Sequence, residues 1–150
     1  ETEDIITGLG RVGPNMVVFK RDSLHFYSRT GTSTSPFTKI GERRGVGNIA
    51  PYSIADHLGT CAFIGKDDFY RINGDQAESI GGPIRDKFFD MMSQTEIQNC
   101  WAYSNADANE IMWFANTTSG RYVFAWDYQG NEWYIYSYPD EITCCGRGAV

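Results

Sequence analysis

The sequence is poor in the residues that most often carry chemistry. Only two histidines, His25 and His57, occur in 150 residues, which leaves little from which to build a metal site or a general base. The four cysteines, Cys61, Cys100, Cys144 and Cys145, include no Cys-x-x-Cys pair, and no histidine completes a zinc ligand set around them. The nucleophile elbow, the His-Glu-x-x-His pair and the phosphate-cradling glycine loop are all missing. Positive charge is scarce too: 13 Lys and Arg stand against 19 Asp and Glu, a net charge of -6. That balance excludes a duplex-coating protein, whose affinity comes from cations displacing counterions from phosphate. No apolar run approaches the 18 residues of a membrane-spanning helix, so neither a membrane partner nor a cofactor is expected.

What is abundant points to sheets. Nine Tyr, nine Phe and four Trp are more than a helical bundle of this size needs, and aromatic side chains suit a pleated, half-buried surface. Sixteen glycines fall mostly between apolar runs, as in Thr7-Gly8, Asn73-Gly74 and Gln129-Gly130, and mark frequent tight turns. Alternating apolar segments of strand length recur at 16–20, 23–27, 37–40, 52–56, 61–64, 68–72 and 76–80, and again at 100–104, 110–114, 121–126 and 132–138. One stretch has a helical period: Ile84, Phe88 and Met91/Met92 follow Pro83, and a second short turn capped by Thr95 extends a helical insertion over about 83–99.

The segments repeat. Phe19 to Leu24 aligns with Ile64 to Phe69, a hairpin with a basic residue and an Asp at its turn, displaced by 45 residues; Trp126 to Trp133 supplies a third, displaced by a further 62. About three four-stranded units result. One is incomplete and ends at 37–40, one spans 52–80 and one spans 100–138. Such a period is the signature of propeller blades. The expected fold is therefore all-β, a partial β-propeller of about three four-stranded antiparallel blades in one domain over 1–150, with a β-sandwich as the alternative.

Single residues support little catalysis. His57 is adjacent to Asp56, but neighbours on a strand face opposite sides, so His57 is expected at the surface of a strand end, and His25 outward between Leu24 and Phe26. Asp67 and Asp68 lie in an expected turn, where acidic residues serve backbone capping. Asp127-x-x-Gly130-x-x-Trp133 reads as a hairpin turn with Trp133 packing into the sheet. Cys61 and Cys100 read as small buried hydrophobes, and the adjacent Cys144 and Cys145 are poorly placed for a structural disulfide. No enzyme is expected. The candidate subunit contacts are Arg43 and Arg44, whose guanidinium forks can engage carboxylates, and Tyr134, Tyr136 and Tyr138, which share one face opposite Trp133.

Five stretches in order, Asp4 to Leu9 (DIITGL), Val17 to Leu24 (VVFKRDSL), Gly45 to Ser53 (GVGNIAPYS), Ala62 to Gly74 (AFIGKDDFYRING) and Ile80 to Phe89 (IGGPIRDKFF), resemble the propeller-bearing tail proteins of short-tailed and related bacteriophages, the nozzle or tail-stabilisation class. The likeness covers roughly residues 4–138. It implies a structural virion component of the tail or head-to-tail connector, assembled in the host cytoplasm, with no catalytic residues to carry over. Its partners would be sister copies in a ring and other tail or connector proteins, with DNA passing nearby without specific binding. A carbohydrate- or receptor-binding propeller module is the alternative. Members of that class are longer, the first residue is Glu1, and Ile142 to Val150 stop within a pattern, so a piece of a longer or processed polypeptide is expected.

Overall fold

The computed structural model describes residues 4–146, in which three antiparallel sheets of four strands follow one another along the chain. Blade 1 holds β1 (Ile6–Val12), β2 (Asn15–Lys20), β3 (Ser23–Arg29) and β4 (Phe37–Arg44). Blade 2 holds β5 (Ala55–His57), β6 (Thr60–Ile64), β7 (Phe69–Asn73) and β8 (Gln76–Ser79). Blade 3 holds β9 (Trp101–Asn105), β10 (Glu110–Thr117), β11 (Gly120–Asp127) and β12 (Glu132–Tyr138). In each blade the strands lie side by side in chain order. The fold is all-β and blade-like, as expected, with three sheets in place of the two of a sandwich. The expectations resting on Glu1 and on the last residues to Val150 lie outside the described residues.

Blade 1 is complete, which corrects the expectation of an incomplete first unit. Its extra strand, β1, carries Gly8 and Gly10 where alternation would place apolar side chains, and so hides from a period-two reading. Gly10 is required by close packing: a Cβ there would stand 2.8 Å from the Cys61 sulfur and 3.0 Å from the Phe19 ring. The repeat alignment also needs correction in its third member. The hairpins Phe19 to Leu24 and Ile64 to Phe69 both join second to third strands, but Trp126 to Trp133 joins β11 to β12; the true counterpart is the turn from Thr117 to Gly120.

The inner strands β1, β5 and β9 gather at one edge and run the same way. Gly13, after β1, donates its N–H to the Gly59 carbonyl after β5 at 2.8 Å, and His57 at the end of β5 meets Ser104 near the end of β9. Two cores lie between the blades. Val17, Phe19, Leu24 and Phe26 of blade 1 pack on Cys61, Phe63 and Ile72 of blade 2. Ile64 and Phe69 of blade 2 pack on Trp113, Phe124 and Trp126 of blade 3. Three indole or imidazole groups also reach across: Trp113 Nε1 donates to the Ser53 carbonyl at 2.9 Å, Trp133 Nε1 to the Ile80 carbonyl at 2.8 Å, and His57 Nδ1 bonds Ser104 Oγ at 2.7 Å.

The insertion is helical as expected, with α1 (Arg85–Met91) and α2 (Gln94–Gln98). Phe88 and Ile97 plug it into the core between blades 2 and 3. The cap of α2 is Ser93, not Thr95: Ser93 Oγ accepts from the Glu96 N–H while the Glu96 carboxylate accepts from the Ser93 N–H, a capping box.

Candidate functional site

A stack of three blades has two end faces that no blade covers. In an antiparallel ladder directly opposed residues share a face, so the register defines each face row by row. On blade 3 the outer face carries Trp101, Phe114, Val123 and Tyr136 in one row, Tyr103, Met112, Ala125 and Tyr134 in the next, and Asn105, Glu110, Asp127 and Glu132 in the third. Trp101 and Phe114 stack flat at 4.0 Å. The segment after β12 returns along the inner part of this face, where Ile142, Cys144 and Cys145 lie beside Trp101, Tyr103 and Met112. The outer part stays open: Tyr134, Tyr136 and Tyr138 are 41%, 39% and 38% exposed.

The three tyrosines therefore share one face, opposite Trp133 and Ile135, which pack against the core. The hairpin reading also holds: Asp127 Oδ1 accepts from the N–H groups of Gln129 and Gly130, at 2.9 and 3.1 Å. The Tyr134 hydroxyl donates to Glu132 at 2.7 Å, and that contact raises its pKa above the ordinary tyrosine value.

Blade 1 presents the other end face, with Arg11, Met16, Tyr27 and Lys39 in one row and Leu9, Val18, His25 and Glu42 in the next. Glu42 is held by Lys39 and by Arg44 Nε at 2.5 Å, and the hydrogen bond from Lys39, seconded by that from Arg44, lowers its pKa to about 2. Arg43 and Arg44 close β4 and point opposite ways. Arg43 turns into the seam between blades 1 and 2 and pairs with Asp75, while Arg44 stays on the open face. Of the candidate contact residues, then, Arg44 and the three tyrosines stand on uncovered faces and Arg43 is engaged within the chain.

One arrangement on blade 1 escaped sequence reasoning. Ser23 Oγ lies 2.9 Å from His25 Nε2, and His25 Nδ1 lies 3.8 Å from Glu42. The spacing i, i+2 on a strand is the signal that could have found the first pair. The geometry does not make a nucleophile, because Ser23 Oγ directs its proton to the Asp4 carboxylate and the His25–Glu42 separation exceeds a hydrogen bond. At Asp4 burial works against ionisation, but the hydrogen bonds from Ser23 and the Asp22 N–H outweigh it, and the carboxyl sits below the usual range. The wall of this 400 Å³ hollow is Asp4, Lys20, Ser23, His25, Glu42 and Arg44. Among the described residues no three His, Cys, Asp or Glu side chains gather as a metal site.

His57 departs from its expected surface position. It is 1% exposed, wedged beside the Tyr128 ring at 5.2 Å, with Nε2 buried and without a hydrogen-bond partner among the described residues. Burial holds its pKa below the ordinary 6.5. The sign follows from linkage: as pH falls below about 6.5 the unfolded chain takes a proton that the folded chain refuses, so stability drops. His25 is shifted the same way, by burial and then by Lys39. Urea midpoints should fall between pH 7.5 and pH 5, and His57→Asn should flatten that fall while leaving the share due to His25. An identical pH slope in the variant would show that His57 does not titrate this way.

The two buried thiols behave as packing groups. Cys61 donates to the Asp56 carboxylate at 2.8 Å, and burial drives its pKa upward; at Cys100 burial lifts the value to about 12. Cys144 and Cys145 are exposed and free. No family model matches the chain, and no curated protein matches it.

Proposed function

We propose that this protein is a structural virion component of a phage tail or head-to-tail connector, in which several copies form part of a ring or tube around the DNA channel. The observation that carries the reading is the pair of uncovered blade faces at opposite ends of the three-blade stack, one rich in aromatic side chains. Sheet faces and edges left open in this way favour further association, and aromatic side chains are enriched in protein contacts. The net charge of -6 suits a conduit, since a wall that gripped phosphate would slow the passage of DNA. Mass photometry and negative-stain imaging of the purified chain test it. Ring-shaped or tubular assemblies are expected, and a chain that stays monomeric at high concentration counts against the reading.

A carbohydrate- or receptor-binding role is favoured by one observation, the three half-exposed tyrosines in a line on β12. Aromatic platforms of this kind stack on sugar rings. Under that reading glycan-array binding is expected and is lost in Tyr134→Ala or Tyr136→Ala; under the assembly reading the same substitutions weaken association and no glycan is retained.

A further inference from the structure

We infer that Cys144, Cys145 and Met112 form a binding site for one soft, thiophilic cation, Cu(I), on the uncovered face of blade 3. The inference goes beyond the assembly reading and does not depend on it.

The chain delivers three sulfur atoms to one place from two directions. Met112 lies on β10 between Ile111 and Trp113, whose side chains are fully buried in the core behind the sheet. Strand alternation therefore sets its thioether on the uncovered side, in the row with Tyr103, Ala125 and Tyr134. The cysteines arrive on the segment 139–146 that follows β12. That segment is moored near its start, where Asn116 Nδ2, on the same face of β10 as Met112, donates to the Glu141 carboxylate at 3.1 Å. From Asn116 back to Met112 the strand covers about 13 Å. The segment covers the same stretch from Glu141 to Cys145, and Cys145 comes to rest beside Met112 in the wall of one 520 Å³ hollow.

Cys144 and Cys145 together border the adjoining hollow of 450 Å³, walled by Trp101 and Tyr103. Adjacent side chains of an extended strand part to opposite faces. These two open onto the same space, both exposed and both free. After burial, the charge of Cys144 raises the Cys145 pKa, as neighbouring sulfurs do.

The donors decide the ligand. Two thiolates and a thioether are soft, polarisable atoms, the set that selects Cu(I). A structural Zn²⁺ takes four ligands, and among the described residues no third His, Cys, Asp or Glu side chain joins the pair. Nor is the pair suited to closing on itself: adjacent Cα atoms stand about 3.8 Å apart, short of the roughly 4.4–6.8 Å that disulfides span. The thiols therefore stay available. On binding, each cysteine sulfur exchanges its proton for the metal and Met112 adds a lone pair, so that two protons leave and no electron is transferred.

Titration of the reduced chain with Cu(I) under argon, against the coloured Cu(I) complex of bicinchoninate, tests the inference. One Cu(I) per chain is expected to move from the indicator to the protein, and X-ray absorption at the copper edge should show three sulfur neighbours. Cys144→Ser and Cys145→Ser should each weaken capture about a hundredfold or more and Met112→Leu about tenfold, since a lost ligand costs at least as much as a lost outer-shell partner. The three positions are exposed or half-buried, and circular dichroism establishes that the variants are folded. Equal capture by the Cys144→Ser, Cys145→Ser double variant places the ion elsewhere, on the buried Cys61 or Cys100 or at no fixed position, and overturns the inference. So does an affinity and sulfur count unchanged in Met112→Leu, or loss of the Cu(I) to an equal concentration of Zn²⁺. None of these outcomes bears on assembly, which mass photometry measures separately.

Discussion

Trp113→Ala should destabilise the protein by about 3–5 kcal/mol, the usual range for deleting a large buried aromatic. Trp113 is fully buried in β10 and belongs to the core that joins blades 2 and 3. Its ring stacks on Trp133 at 5.5 Å and meets Phe69 edge-on at 5.1 Å. Its indole N–H satisfies the Ser53 carbonyl, in the turn that leads into β5. Truncation therefore opens a cavity and orphans a buried acceptor in the connection between blades. Trp113→Phe separates the two effects: it keeps much of the ring and removes the hydrogen bond, whose net worth is about 0.5–1.5 kcal/mol. Urea unfolding followed by circular dichroism measures both. A loss under about 1 kcal/mol for the alanine variant would contradict the packing described.

Asp68→Ala is expected to be the most damaging polar substitution. Asp68 sits in the tight turn between β6 and β7 and is almost fully buried. It accepts from the Phe69 N–H at 2.7 Å, from Ser79 Oγ, and from Arg85 at 3.3 Å at the start of α1. One carboxylate thus ties the β6–β7 turn to the end of β8 and to the helical insertion. Removing it orphans the buried Phe69 N–H, at about 1–3 kcal/mol, and frees the hydroxyl of Ser79, which is exposed and can turn to water. Arg85 is half-exposed and can turn to water, so its share of the loss is small. Gly81 confirms how tightly this carboxylate is enclosed, since a Cβ at that position would stand 2.2 Å from Asp68 Oδ1. Asp68→Asn keeps the shape and one acceptor, and its urea midpoint should fall between those of the wild type and the alanine variant. Equal midpoints for all three would mean that the turn does not depend on Asp68.

These two residues show what a linear reading could and could not reach. Ten strands and the helical insertion were legible because apolar side chains alternate along them or return every three to four positions; the segment expected as a strand at 52–56 begins instead in a 3-10 turn, Pro51–Ser53, and only its end joins the short β5, Ala55–His57. The missing strand, β1, carries glycines where the period needs apolar groups, and only the approach of Cys61 and Phe19 explains why. Asp68 and Asp67 look alike in sequence. In space Asp67 stays exposed and accepts from the Tyr70 hydroxyl at 3.0 Å, while Asp68 is sealed beneath Gly81. His57 was expected at the surface because it ends a short strand, yet the neighbouring blade supplies Ser104 and Tyr128 to cover it.

The open faces divide in the same way. That Tyr134, Tyr136 and Tyr138 share a side of β12 follows from the two-residue period of an extended chain. That this side faces outward, away from the core that swallows Trp133, is decided by the stacking of blade 3 on blade 2. Arg43 and Arg44, identical in type and adjacent, part company because the seam between blades 1 and 2 offers Asp75 to one and leaves the other beside Glu42.

Alternating polarity, turn glycines and aromatic content are properties of neighbouring residues, and they alone determined that this chain folds into successive four-stranded sheets. Which carboxylate is buried, which arginine is paired and which faces remain uncovered depend on residues far apart in the chain meeting across the blades. Those meetings have no local signature, because a side chain's burial is set by the sheet packed over it and not by the residues on either side.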